Sequence, residues 1–239
     1  MTRPLYLDDA YRRTAASPVT ALTEEGGLVL EASLFYPISG GQPGDSGRLT
    51  WSGGALGIAT TVKGPHDAIV LVPAEPGPLP PPGTLVTQDI DWARRLRHMR
   101  MHTALHLLSV AVPDPVTGGQ IGEAKSRLDF DTESAPDAEA LSRRMAEMVA
   151  ADLPVTSEWI TDAELDAAPE LVKTLSVRPP RGQGRVRLVR IGEGPAALDL
   201  QPCGGTHVAR TGEIGALRVG KIEKKGRQNR RVYLHLETP

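Results

Sequence analysis

Cysteine is all but missing from this chain of 239 residues: Cys203 stands alone, which excludes an internal disulfide. Aromatic residues make up only 4% of the sequence, too few for a platform on which single-stranded bases stack. No apolar run approaches the length of a membrane span, and the N-terminus lacks the charged-then-apolar pattern of a secretory leader. These absences point to a soluble, cytoplasmic protein in which any nucleic acid is held by its backbone. Histidine is scarce as well, at six residues. The 40% of hydrophobic residues, in contrast, can fill a proper core, and the length suits one large domain or two small ones.

Two regions differ in pattern. Up to residue 90 the chain reads as short strands separated by glycine turns: Pro18 to Thr23, Leu28 to Ala32, Gly47 to Trp51, Leu56 to Val62, Ala68 to Val72 and Leu85 to Ile90. Glu24-Glu25-Gly26-Gly27 marks a hairpin turn, and the proline-rich stretch from Pro73 to Gly83 must be a stiff loop. Many short strands so punctuated predict a small β-barrel for residues 1–90. From Asp91 a helix is expected to about Val110, ended by Pro113 and Pro115. A second helix is expected from Pro136 to Asp152, capped by Ser134, and Thr161-Asp-Ala-Glu164 forms a capping box for a third. Strands are expected at Val155 to Ile160, Arg185 to Ile191, Ala197 to Leu200, Ile214 to Ile222 and Arg231 to Leu236. Residues 91–239 therefore read as a mixed α+β domain, and the whole as an α+β chain.

His102-Thr-Ala-Leu-His106 lies in the expected first helix, where a spacing of four puts both imidazoles on one face. Cys203-Gly-Gly-Thr-His207 repeats the spacing, but its glycines make it a tight turn. One thiolate and three imidazoles suit Zn(II) better than magnesium or calcium, which prefer oxygen. His98 stands four residues before His102, so spacing alone allows either 98/102 or 102/106 as the helical pair.

Two further features invite a ligand. Phe35 to Gly47 packs four glycines and two prolines into thirteen residues. It is no phosphate loop of the Walker type, since no Gly-Lys-Ser/Thr follows, but Gly40 and Gly41 allow backbone to approach a ligand and Gln42 offers a polar tip. Charge is segregated although the formal net charge is only −2. Arg218, Lys221, Lys224, Lys225, Arg227, Arg230 and Arg231 crowd the C-terminal region against one acid, Glu223. A second basic run extends from Arg178 to Arg190, whereas acids collect between Asp129 and Glu170. The C-terminal run is the expected phosphate-binding face.

The glycine-rich loop, Arg97-His-Met-Arg-Met-His-Thr-Ala-Leu-His-Leu-Leu108 and Asp199-Leu-Gln-Pro-Cys-Gly-Gly-Thr-His207 together resemble the freestanding alanyl-tRNA editing proteins. These are similar to the editing domain of alanyl-tRNA synthetase and, more distantly, to that of threonyl-tRNA synthetase. The resemblance covers nearly the whole chain. It implies zinc held by His102, His106, Cys203 and His207, with the pair followed by Leu-Leu preferred over His98. It also implies hydrolysis of the ester joining serine, and sometimes glycine, to the acceptor end of tRNA(Ala). Ser39 stands where such loops usually carry a further glycine. A pocket-lining glutamine after the helix has its nearest match in Gln120, so Gln42 and Gln120 are the expected catalytic amides. Gly40, Gly41 and Thr103 are the expected substrate-binding residues, Thr103 as a reader of the serine hydroxyl.

Catalysis by zinc needs a free coordination position, whereas four protein ligands close the tetrahedron. His207, at the end of a turn, is therefore expected to be the loosely held ligand. Two rival chemistries fail on sequence. A zinc peptidase of the HExxH type needs glutamate where Thr103 stands, and a nucleobase deaminase needs a second cysteine after Pro202-Cys203. A non-catalytic, zinc-stabilised tRNA- or RNA-binding module stays open as the alternative. The length leaves no room for a synthetase core, so ATP-independent action on tRNA charged elsewhere is expected.

Overall fold

The structure, a computed structural model, describes residues 1–174 and 184–237; Arg178 and Arg181 of the second basic run lie outside them. The chain divides into two compact units, Met1–Leu96 and Arg97–Pro239.

In the first unit a two-residue strand β1 (Arg3–Pro4) leads into a single helical turn α1 (Leu5–Asp8). Strands β2 (Thr14–Leu22) and β3 (Leu28–Leu30) follow, then the short β4 (Ala32–Ser33), which pairs in parallel with β1. The expected strand from Leu28 to Ala32 is thus split in two. β5 (Gly47–Trp51), β6 (Gly54–Lys63), β7 (Ile69–Pro73) and β8 (Leu85–Ile90) complete a closed barrel in the order β2-β3-β7-β6-β5-β8. Alternation drives this closure: in β8 Val86, Gln88 and Ile90 point inward and Leu85, Thr87 and Asp89 outward. Inside, Leu28, Leu30, Phe35, Leu49, Ile58 and Leu71 are at most 2% exposed. Gln88 is buried among them and satisfied, its Oε1 accepting from Leu34 N at 2.9 Å and its Nε2 donating to Ala32 O at 3.0 Å.

The loop joining β4 to β5 is the glycine-rich stretch, and it is rigidly tied down. Ser39 and Gln42 pair across a two-residue turn, with 2.8 and 3.1 Å hydrogen bonds between their backbones. Its central residues, Gly40 and Gly41, have φ of 55° and 82°, the positive values that a type I′ turn demands. Ser39 precedes the turn outside the positive-φ region, so a third glycine is not required there. A Cβ at Gly44 would fall 2.1 Å from Thr61 O, so β6 leaves no space for a side chain. Asp45 then receives Tyr36 N at 2.7 Å and the guanidinium of Arg95. Arg95 also donates to Ala10 O at 3.0 Å and Leu34 O at 2.6 Å, and both members of the ion pair are at most 1% exposed.

Helix α2 (Trp92–Ala111) carries the chain across the boundary between the units, with Arg94 N donating to the Asp91 carboxylate at its start. β9 (Val116–Gln120) and β10 (Lys125–Asp131) follow as a hairpin. α3 (Ala138–Ala150) is capped by Asp137, whose Oδ1 accepts from Glu139 N and Ala140 N, and not by Ser134 as expected; Pro136 intervenes between Ser134 and the helix start. β11 (Val155–Thr161) runs into α4 (Asp162–Ala167), where the Thr161–Glu164 capping box is present as expected. β12 (Arg185–Ile191), β13 (Asp199–Pro202), β14 (Leu217–Gly226) and β15 (Asn229–Leu236) finish the chain. Ile214 ends a short 3-10 turn and is not part of β14 as expected. Two antiparallel sheets result, β14-β15-β10-β9 and β11-β12-β13. Among the described residues no helix is long and apolar enough to cross a membrane.

Removing one partner from a buried ion pair strands the other charge. Asp45→Ala should therefore destabilise the barrel unit by about 3–5 kcal/mol and loosen the glycine turn. Urea unfolding of the full chain measures it, and a loss under about 1 kcal/mol would show that the pair is not what fixes the loop.

Candidate metal centre

The four-residue spacing in α2 places His102 and His106 on one stripe, while Met99, Leu105, Leu107 and Leu108 are buried with at most 4% exposure. The opposing half comes from β13 and the turn after it. Strand alternation puts Asp199 and Gln201 on its buried side, and Pro202 ends it just before Cys203. That turn is clamped from β12. Arg187 Nη1 donates to Cys203 O and Gly205 O, both at 3.0 Å, and Arg187 O accepts from Cys203 N at 3.1 Å.

The ligand atoms of His102, His106, Cys203 and His207 all lie within 4.8 Å of one another. Cys203 Sγ is 3.5 Å from His102 Nε2 and 3.3 Å from His207 Nε2. Zinc bonds of about 2.3 Å to sulfur and about 2.0–2.1 Å to nitrogen, at tetrahedral angles, set neighbouring donors about 3.3–3.6 Å apart. The two cysteine–histidine spacings match that range, and the donor set, with no oxygen among it, suits zinc. His98, although buried, is not in the group.

His207 and His106 are oriented from behind. Thr103 Oγ1 donates to Met99 O at 2.9 Å, lies 3.1 Å from His207 Nδ1 and receives Val208 N at 3.3 Å. With its one proton on Met99, the hydroxyl accepts from Nδ1 and turns His207 Nε2 inward. Asp199 Oδ2 does the same for His106, 2.9 Å from Nδ1, and receives Gln201 Nε2 at 2.8 Å, while the Lys173 ammonium holds the other carboxylate oxygen, Oδ1. Thr103 therefore positions a ligand, with no proton left for a substrate hydroxyl. His207, expected to be the loosely held ligand, is 6% exposed and lies 3.1 Å from Thr103 Oγ1. Cys203, half-buried, is the most open of the four.

The electrostatics follow from this crowding. Burial opposes ionisation of Cys203, but His102 and His207 more than offset it and pull the thiol well below its ordinary value. Burial and the neighbouring His102 push His207 down to about 3. Burial also works against a proton on His106, yet the hydrogen bonds to Asp199 and Cys203 raise it to about 9. Burial raises Asp199, and His106 with Lys173 brings it down to about 2. Without metal these shifts favour a thiolate at Cys203 and a retained proton on His106.

Sequence reading missed Asp199, Gln201, Lys173 and Arg187. Only the first two carried a signal, as polar residues two apart in a strand that ends at Cys203. The remaining expected site residues are dispersed. Gly40 and Gly41 form the exposed turn of the barrel unit, and Gln42 lies buried at its base. Gln120 is exposed at the end of β9, where it lines a cavity of about 340 Å³ with Lys125, Arg127, Arg231 and Tyr233. Of the basic run, Arg218, Lys221, Lys224, Lys225 and Arg227 are exposed and Arg231 is partly so. Arg230 is the correction: it is 7% exposed and donates to the carbonyls of Gly226, Asn229 and Glu133, which removes it from any phosphate-binding face.

Comparison with known proteins adds to this geometry. Residues 186–233 match the family described as threonyl and alanyl tRNA synthetase second additional domain. The chain is 33% identical to alanyl-tRNA editing protein AlaX-M of Methanosarcina acetivorans, over 99% of both chains. It is 32% identical to the protein of the same name from Methanosarcina mazei, over 99% of this chain and 97% of the relative. Alanine–tRNA ligase of Pyrobaculum neutrophilum is 34% identical over 93% of this chain, which spans 25% of that longer protein.

Two outcomes test the centre. Asp199→Asn should weaken metal affinity about 10–100-fold, read by chelator competition; unchanged affinity would remove its orienting role. The pH dependence has a definite sign. His207 and Asp199 sit below their unfolded values, so their contribution is whole above pH 6.5 and about 4 respectively, and is lost as pH falls toward about 3 and about 2. Cys203 acts in the same sense up to its own unfolded value, and His106 opposes it between 6.5 and about 9. Metal-free protein should therefore lose stability steadily below pH 6.5 and change little above it. A urea midpoint that holds or rises on acidification to pH 4 contradicts this.

Proposed function

Because the chain belongs to the alanyl-tRNA editing protein family, we propose that it is a trans-acting hydrolase that removes a wrongly attached amino acid from tRNA(Ala), chiefly serine and also glycine. The observation that carries this reading is the meeting of His102, His106, Cys203 and His207 from two remote stretches of chain. Zinc held by these four would supply Lewis acidity beside the ester carbonyl.

The chain's own residues do the rest. Thr103 and Asp199 fix the ring orientations of His207 and His106, and Arg187 fixes the turn that carries Cys203. The openness of Cys203 gives the direction of approach: an acylated RNA end reaches the cluster over the sulfur. It passes Gly204, where an added Cβ would meet nothing within 4 Å. Discrimination against alanine needs a group that bonds the extra hydroxyl of serine and is left unpaired without it. Gln42, fully buried in the barrel unit, is not open to a substrate, so with Thr103 engaged elsewhere that task and the placing of the attacking water go to the amide of Gln120. The exposure of Gln120 at the end of β9 supports its part.

One observation favours a second reading, a non-catalytic RNA-binding module. All four donors converge, and a closed set of four is the arrangement of structural zinc.

Purified protein incubated with tRNA(Ala) charged separately with serine, glycine and alanine separates the two. Serine and glycine should be released and alanine retained, and Cys203→Ala should lower the rate about 100-fold or more while uncharged tRNA still binds. Binding without any release by the unaltered protein would establish the module instead.

A further inference from the structure

The four-stranded sheet has one apolar face and one polar face, and the polar face holds the cavity beside Gln120. Strand alternation puts Ser126, Leu128, Phe130, Val232 and Leu234 on the buried side. On the other side register places Lys125 opposite His235, Arg127 opposite Tyr233 and Asp129 opposite Arg231. Three cations, Lys125, Arg127 and Arg231, line the cavity with Tyr233, and no carboxylate is among its lining residues.

These cations are pre-set. Asp129 accepts from Arg231 Nε at 2.7 Å and Nη2 at 2.8 Å, and from Arg127 Nη1 at 2.6 Å, so one carboxylate orients two guanidinium groups and leaves a positive charge over. The Lys125 ammonium lies 4.0 Å from the centroid of the Tyr233 ring. Glu223, on the neighbouring strand, is likewise bracketed by Lys221 at 3.0 Å and Lys225 at 2.8 Å. His235 reports the resulting potential: burial first, then Arg218 and Lys125, hold its imidazole below the ordinary value.

We propose that this cavity binds a backbone phosphate of the RNA, seated between Lys125, Arg127 and Arg231, and so docks the acceptor strand on the polar face of the sheet. The proposal rests on the aminoacyl-tRNA deacylase reading above. The occupant is a phosphate and not a stacked base, because the Lys125 ammonium already covers a face of Tyr233, the one aromatic ring lining the cavity. Two oriented guanidiniums match the oxygens of a phosphodiester, and such contacts position RNA without reading its sequence.

Uncharged tRNA(Ala) binding measured across a salt series tests this independently of hydrolysis. Lys125→Glu, a change at an exposed side chain, and Arg127→Gln should each raise Kd about 10-fold and lower the slope of log Kd against log salt by roughly one. In deacylation the loss should fall on KM more than on kcat. Arg144→Glu, at an exposed cation on α3, matches the charge change of Lys125→Glu and should change Kd less than about 2-fold. Equal Kd and slope in Lys125→Glu and the unaltered protein would overturn the site, even if deacylation is robust. Inorganic phosphate that binds the unaltered protein at low millimolar concentration and constant ionic strength without displacing tRNA, and that Lys125→Glu no longer binds, would assign the cavity to a free anion and overturn the RNA assignment. Weakened binding by the variants of a protein that never deacylates would sustain the phosphate site and fail the enzyme reading alone.

Discussion

Everything at the candidate centre depends on holding four dehydrated donor atoms together in a mostly buried cluster. Three imidazoles and a thiol do not gather there for burial's sake, since each loses hydration and protonated imidazoles disfavour one another. The structure meets that cost with fixed hydrogen bonds: Thr103 behind His207, Asp199 behind His106, and Arg187 across the turn that carries Cys203. Each acts on orientation, by the logic of outer-shell partners of a metal ligand. The fold serves the same end, since α2 and the β13 turn are regular enough to aim side chains that are remote in sequence.

Much of this was legible before any coordinates. Strict alternation and glycine punctuation gave the barrel strands, and β5 and β8 fell where the pattern puts them. The HxxxH and CxxxH spacings picked out the donor group, because a helix repeat and a glycine turn are local properties. What alternation could not convey is which polar partner waits across the space. Asp199 faces His106 only because β13 meets α2, and Arg187 clamps the turn only because β12 pairs with β13. The reading of Thr103 as a substrate contact failed for the same reason: its hydroxyl is committed to Met99 and His207.

Charge counting along the sequence had a comparable limit. Seven closely spaced cations from Arg218 to Arg231 read as one basic strip, yet period-two geometry sends neighbours to opposite faces. Arg231 joins Arg127 around Asp129, while Arg230 turns inward to cap backbone carbonyls. Conversely, Lys125 and Arg127 come from a stretch with no basic excess and become part of the charged face only when β10 pairs with β15. In the barrel the glycine-rich loop owes its shape to the packing of Gly44 against β6 and to the Asp45–Arg95 pair.

The two halves of the donor set are 101 residues apart between His102 and Cys203. An ion gripping both is a cross-link as well as a reagent. It closes a loop whose entropy, in the chain model used for covalent bridges, is worth on the order of 4–5 kcal/mol. Cohesion of the second unit and reactivity at its surface would then share one set of atoms, and the fold would be most secure when loaded. A substitution at any of the four would strike both properties together, so dead variants of these residues speak to chemistry only when their melting behaviour is known.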